Sequence, residues 1–166
     1  MEKDIETIFL NTVESNKDRI FRICRFYTAD NEDPKDLFQD VLLNLWKSLP
    51  SFKNQSNIDT WVYRITINIC LRAKQFSDKK QKHFVKLESI NIQNLEDTIA
   101  PNENEKLFIK LSESIKRLEG IEKSIILLHL EGVSYKEIAQ VFGLTENHIA
   151  VKIKRTRSKL LTLMKS

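Results

Sequence analysis

Apolar residues recur at intervals of three and four along most of the chain, the period of helices that turn one face to a core. Ile5, Ile8, Phe9 and Val13, followed by Ile20, Ile23, Cys24 and Tyr27, predict two helices or one broken near Asn16. Asp33-Pro34 predicts the next start: Asp33 can accept from free first-turn amides, and Pro34 lacks the amide that would go unpaired there. That helix should run to about Leu49, before Pro50. The polar residues 51–57 read as a loop dense in side-chain donors, and Ser56 with Asp59 offers a capping box for a helix whose buried stripe is Trp61, Ile65 and Ile69. Periodicity weakens over 77–101, where Asn91, Asn94, Asp97 and Pro101 are turn and breaker signals. Beyond it, Asn102 with Glu105 caps a helix carrying Leu107, Leu111, Ile115 and Leu118, and another follows from Glu122 to about Leu130.

The expected fold is therefore all-α. Two small helical domains, residues 1–76 and 102–166, are joined by a flexible linker at 77–101. Three glycines and three prolines are few for 166 residues, and no alternating strand pattern competes.

The most informative local pattern lies near the C-terminus. Gly132 suits a left-handed helix end, and Ser134-x-x-Glu137 forms a capping box with Val133 and Ile138 as its hydrophobic staple. The helix carrying Ile138, Ala139 and Phe142 stops at Gly143, and Thr145 caps the next, with a second staple from Leu144 to Ile149. A short glycine-containing turn between two helices predicts a helix-turn-helix, whose second helix offers its first turn to the major groove. Ile149, Ile153, Thr156, Leu160 and Leu163 form the inward stripe of that helix, while Lys152, Arg155 and Lys159 occupy another face. Glu146, Asn147 and His148 in its first turn are the candidate base readers, since Asn suits adenine and a carboxylate accepts from cytosine, and Thr145 and Val151 complete the candidate DNA-binding surface. Lys152 and Arg155 would hold phosphates.

Charge is segregated along the chain. Residues 1–101 carry 15 Lys and Arg against 15 Asp and Glu, and residues 102–166 carry 12 against 8, so the formal excess of +4 lies in the C-terminal part. No acid follows Glu146, whereas Lys152, Lys154, Arg155, Arg157, Lys159 and Lys165 do. A second basic block, 64–86, holds seven cations against Asp78 alone, and an acidic patch of Asp30, Glu32, Asp33, Asp36 and Asp40 lies upstream. Such segregation fits different segments meeting different partners. No apolar run approaches a membrane span, and Glu2, Lys3 and Asp4 open the chain where a signal peptide would be basic and then apolar, so a cytoplasmic protein without membrane insertion is expected. Cys24 and Cys70 lie on apolar faces at neither a metal-ligand nor a redox spacing and read as reduced core residues. Neither carboxylates nor histidines cluster at catalytic spacing, so the sequence predicts no enzyme, no catalytic residue, no metal and no cofactor.

Three stretches in order resemble the extracytoplasmic-function group of the sigma-70 family of RNA polymerase sigma factors. They are Asp33-Pro34-Lys35-Asp36-Leu37-Phe38-Gln39-Asp40-Val41; Phe52-Lys53 with Thr60-Trp61-Val62-Tyr63-Arg64-Ile65 and Asn68; and Ser134-Tyr135-Lys136-Glu137-Ile138-Ala139 with Gly143. The resemblance implies core RNA polymerase as a partner, through Asp36, Leu37, Gln39 and Asp40. It implies that Lys53, Asn54, Gln55, Ser56 and Asn57 capture an unstacked base of a melted minus-ten strand, with Arg64, Asn68 and Arg72 gripping the adjoining backbone. It further implies that the helix-turn-helix reads the double-stranded minus thirty-five element, and that an anti-sigma factor can be a partner. The chain departs from the family at Arg117-Leu118-Glu119-Gly120, where a Leu-Pro pair is usual, at Ala150, where lysine is frequent, and at Asn147 and His148, where smaller residues are common. The rival reading is a free-standing helix-turn-helix regulator, which would be a dimer on a palindromic site.

Overall fold

Local capping sets most helix boundaries in the computed structural model, which describes residues 2–81 and 102–165, with side chains for 3–74 and 102–165. Helix α1 (Glu2–Phe26) is continuous. It does not break at Asn16 because that side chain is buried and satisfied, its Nδ2 donating to the Thr12 carbonyl and to Asp59 Oδ1, both at 3.0 Å. Asp33 caps α2 (Pro34–Ser48) by accepting from the Lys35 amide at 2.9 Å, and a single 3-10 turn, Leu49–Ser51, ends the segment around Pro50. Helix α3 (Ile58–Gln81) is capped by Asn57, whose Oδ1 accepts from the Asp59 amide at 3.0 Å, so the cap falls one residue later than the Ser56 box predicts. α3 also passes the expected domain boundary at 76, and the rest of the expected linker, 82–101, lies outside the described residues.

The C-terminal helices are α4 (Glu103–Lys116), α5 (Gly120–Leu130), α6 (Tyr135–Phe142) and α7 (Glu146–Lys165). Asn102 and Glu105 exchange a reciprocal pair of bonds at 2.8 and 3.3 Å, and Ser134 accepts from the Glu137 amide at 3.2 Å. Gly143 is left-handed with φ of 66°, and Thr145 accepts from the His148 amide at 3.1 Å, which completes the turn between α6 and α7. Helix α5 begins at Gly120, also left-handed with φ of 59°, so the departure at 117–120 yields a glycine-led start without a side-chain cap.

Packing modifies one expectation. On α3 the buried residues are Val62, Tyr63, Thr66, Ile67 and Cys70, while Trp61, Ile65 and Ile69 lie half-buried at the margin, so the inward face is rotated from the predicted stripe. The two helical sets also share one continuous core: α3 packs on α6 and α5, and α1 on α4. Helix α5 is its centre, with all six residues from Lys123 to Leu128 buried. Cys24 and Cys70 are buried free thiols 4.0 Å apart, well beyond the ~2 Å of a disulfide. The neighbouring Cys24 thiol and burial push the Cys70 thiol well above its ordinary value. The inward stripe of α7, Ile149, Ile153, Thr156 and Leu160, is buried as spaced.

Side-chain ties fix α7 to α5. Lys159 Nζ lies 3.2 Å from Glu122 Oε2, and Arg157 Nη2 lies 2.8 Å from His129 Nε2. A guanidinium has no acceptor, so the imidazole accepts and is neutral in this contact. Burial and the nearby Arg157 charge lower the His129 pKa.

Ile153→Ala should lower stability by about 2–5 kcal/mol in urea unfolding, because the residue is 1 % exposed, whereas the exposed Leu161→Ala should cost less than about 0.5 kcal/mol. His129 titrates at 6.5 when unfolded and lower when folded. Its contribution to stability is therefore full above pH 6.5 and lost as pH falls through the depressed folded value. His129→Gln keeps an acceptor but does not titrate, so the urea midpoint of the wild type should fall relative to that of the variant as pH drops below 6.5.

Candidate polymerase and nucleic-acid interfaces

The first turns of α7 carry the predicted base-reading set on an open surface. Thr145, Glu146, Asn147, His148, Val151 and Arg155 are exposed and Lys152 half-exposed. Stability of α7 is supplied by its opposite stripe, so this face has no packing duty. The side chains of Glu146, Asn147, Lys152 and Arg155 are in no hydrogen bond or ion pair among the described residues, and Thr145 is the cap that aims the first turn. The cations separate into two kinds: Arg157 and Lys159 are tied to α5, while Lys152, Lys154 and Arg155 are unengaged. Lys159, expected on the DNA-facing side, thus belongs to the first kind.

The polar loop between the 3-10 turn and α3 presents Lys53, Asn54, Gln55 and Asn57 to solvent, with Ser56 half-exposed. Its shape comes from two sources. Asn54 adopts a left-handed φ of 56°, the one positive-φ non-glycine residue among those described, a conformation asparagine tolerates better than most side chains. Phe52 packs on Trp61 with ring centroids 5.0 Å apart, which pins the loop to the start of α3 and gives half-buried Trp61 a structural task. Asn57 Oδ1 is already used as the cap of α3.

The predicted strand-gripping residues divide. Asn68 and Arg72 are exposed, and Arg72 lines a groove of about 850 Å³ opposite Asp33, Asp36 and Asp40. Arg64 faces the other helical set and donates from Nη2 to the Gln140 carbonyl of α6 at 2.7 Å. Tyr63 beside it is 2 % exposed; burial raises its phenol pKa, and Arg19, donating to the phenol oxygen at 2.6 Å, opposes the rise.

On α2, Asp36, Gln39 and Asp40 are exposed, whereas Leu37 is 8 % exposed and packs inward with Val41 and Leu45. Leu37 therefore holds the patch in place and is not part of its surface. The outer stripe continues through Leu43 and Trp46, 50 % and 43 % exposed, with the Phe9 ring 5.1 Å from Trp46. The three- and four-residue spacing from Gln39 through Leu43 to Trp46 carried that signal, and an inward-only reading of apolar residues missed it. No group of three or more metal-ligating side chains is found among the described residues, and none of their helices is long and apolar enough to cross a membrane.

Comparison with known proteins bears on both helical sets. Residues 12–79 match the family model for sigma-70 region 2, and residues 108–160 match that for sigma-70 region 4. Among curated relatives, the ECF RNA polymerase sigma factor SigW of Bacillus subtilis is 21 % identical over 172 residues, covering 96 % of this chain and 90 % of that protein. The ECF RNA polymerase sigma-E factor of Escherichia coli is 26 % identical over 140 residues, covering 77 % and 72 %. Among solved structures, CnrH in complex with the cytosolic domain of CnrY aligns with a TM-score of 0.69 at 19 % identity, over 96 % of this chain and 89 % of that one. The sigma factor RpoE of Bartonella quintana, in complex with the anti-sigma factor NepR, aligns with a TM-score of 0.65 at 21 % identity, over 98 % of both chains. Region 2 falls on the helices bearing the α2 stripe and the polar loop, and region 4 on those bearing the helix-turn-helix; the chain belongs to the sigma-70 family of RNA polymerase sigma factors, in its extracytoplasmic-function group.

Proposed function

We propose that this cytoplasmic protein docks on core RNA polymerase through the outer face of α2, reads the minus thirty-five duplex with the first turns of α7, and stabilises a melted minus-ten strand with the 53–57 loop. The observation that carries this reading is the pairing, in family order, of an exposed acidic and apolar stripe on α2 with a helix-turn-helix whose second helix presents Glu146, Asn147, Lys152 and Arg155 with unengaged side chains. Residues 1–76 form the unit for polymerase and strand, and residues 102–166 the duplex-reading unit. Asp36, Gln39 and Asp40 meet basic polymerase side chains, and Leu43 with Trp46 adds apolar area to the same stripe.

Strand capture needs no nucleotide hydrolysis, and the protein is not an enzyme. Pairing of Lys53, Asn54, Gln55 and Ser56 with an extruded base, and of Arg64, Asn68 and Arg72 with the backbone, offsets an unstacking cost of a few kcal/mol. An anti-sigma factor is a partner by analogy with the structural neighbour solved in such a complex.

Run-off transcription with purified core polymerase on DNA upstream of the protein's own gene should depend on the protein. Asp36→Ala should lose core binding, and Asn54→Ala should keep core binding but lose strand opening, read by permanganate footprinting. A missing transcript without core binding, beside dimeric and sequence-selective binding to duplex DNA, would establish the free-standing regulator instead. For readout, Asn147→Ala should shift sequence preference at one base position by about 1–3 kcal/mol, whereas Lys152→Ala should weaken all sites and lower the salt slope by about one. Uniform weakening by both variants would refute the assignment of Asn147.

A further inference from the structure

The first turn of α3 holds both ends of the 53–57 loop. Phe52 packs its ring on Trp61, with centroids 5.0 Å apart, and Asn57 Oδ1 accepts from the Asp59 amide at 3.0 Å. Wherever that turn sits, the loop follows. Two side chains of α1 fix the turn in its place. Asn16 Nδ2 donates to Asp59 Oδ1 at 3.0 Å, and one turn further along both helices Arg19 Nη1 donates to the Tyr63 phenol oxygen at 2.6 Å. The two bonds are rungs of a polar ladder between α1 and α3. Thr60 adds no third rung: it is fully buried, and its hydroxyl has no partner among the described residues.

The Asn16 rung is the one that sets position. Asn16 is 2 % exposed, and its amide nitrogen donates to the Thr12 carbonyl as well as to Asp59. A buried amide costs stability unless its donors are met, so the Asp59 carboxylate has one favourable place, and the turn that carries it has one too. Apolar packing alone would tolerate a slide of α3 along α1; a satisfied buried polar pair does not. The charge of Asp59 gives a second argument. A strand held by the loop brings phosphates close, and a half-buried carboxylate two residues from the loop opposes them. Its contribution to capture is therefore indirect, through the bond to Asn16.

We propose that Asn16 and Asp59 are positioning residues for strand capture: their bond, acting through the first turn of α3, holds the 53–57 loop where a melted strand meets it. The inference rests on the role proposed above for that loop. Asn16 is buried away from the strand and acts only through Asp59. A loop placed beforehand has less freedom to lose on capture, so breaking the tie weakens strand opening and leaves the outer face of α2 and the reading face of α7 as they are.

The test uses the full chain with purified core polymerase on DNA upstream of the protein's own gene, well below each variant's melting temperature. Asn16→Ala should speed amide hydrogen exchange in residues 53–57. It should lower permanganate reactivity of the minus-ten strand on the order of tenfold, with core affinity and duplex affinity unchanged. Asp59→Ala should weaken opening likewise, although the charge it removes would by itself strengthen strand binding. Asp59→Asn keeps the acceptor and should retain opening. The two alanine changes together should be no worse than either alone, because each removes the same bond. Should Asn16→Ala not fold, Asp59→Ala against Asp59→Asn makes the comparison. Normal opening in a folded Asn16→Ala, stronger opening in Asp59→Ala, equal losses in Asp59→Ala and Asp59→Asn, or additive losses in the double variant would each overturn the inference and leave capture by the loop standing. Opening that does not depend on Asn54 would overturn the loop's role and this inference together.

Discussion

Burial of α5 is the constraint on which the rest of the structure depends. Its run from Lys123 to Leu128 leaves no side free for solvent, so α7 and α6 cover part of it and α3 another. Fixing α5 fixes the helix-turn-helix, because Glu122 and His129 hold α7 by its basic side chains. Through Ser124 and Lys123 it also meets Tyr27, the residue just past the end of α1, whose phenol is held far above its ordinary pKa by burial, with Ser124 as its partner. An apolar helix at the centre thus carries, in its first half, two buried polar groups that join the two parts of the molecule.

The ion pairs that flank those buried groups add little gross affinity between the parts. Exposed pairs such as Arg22 with Glu131 and Lys116 with Asp30 contribute about 0–1 kcal/mol each in water, and salt screens them. Their value lies in register. A seam held by apolar contact alone could slide, whereas a bidentate carboxylate pair and a single phenol-hydroxyl bond define one mutual placement.

Legibility followed physical range. The caps at Asp33, Asn102, Ser134 and Thr145, the left-handed Gly143 and the inward stripe of α7 depend on groups a few residues apart, and all were readable as spacing. The inward face of α3 was misread by about one residue, because Trp61, Ile65 and Ile69 satisfy helical period as well as Val62, Thr66 and Cys70 do, and only the neighbours on α1 decide between them. Leu37 was assigned to a surface although its spacing to Val41 and Leu45 marks it as core. Arg64 with Gln140, and Tyr27 with Ser124, are joined across the undescribed segment, where no periodicity carries information.

The division of cations along α7 has an evolutionary consequence. Arg157 and Lys159 are bound into the architecture, so replacing them disturbs how the helix sits. Asn147, His148 and Lys152 carry no such obligation, and their replacement leaves the core as it was. If this surface reads DNA as proposed, target preference and foldability are separable traits in this molecule. On the proposed reading, copies of such a chain can diverge in the sites they bind through changes at a few surface positions, without passing through unstable intermediates.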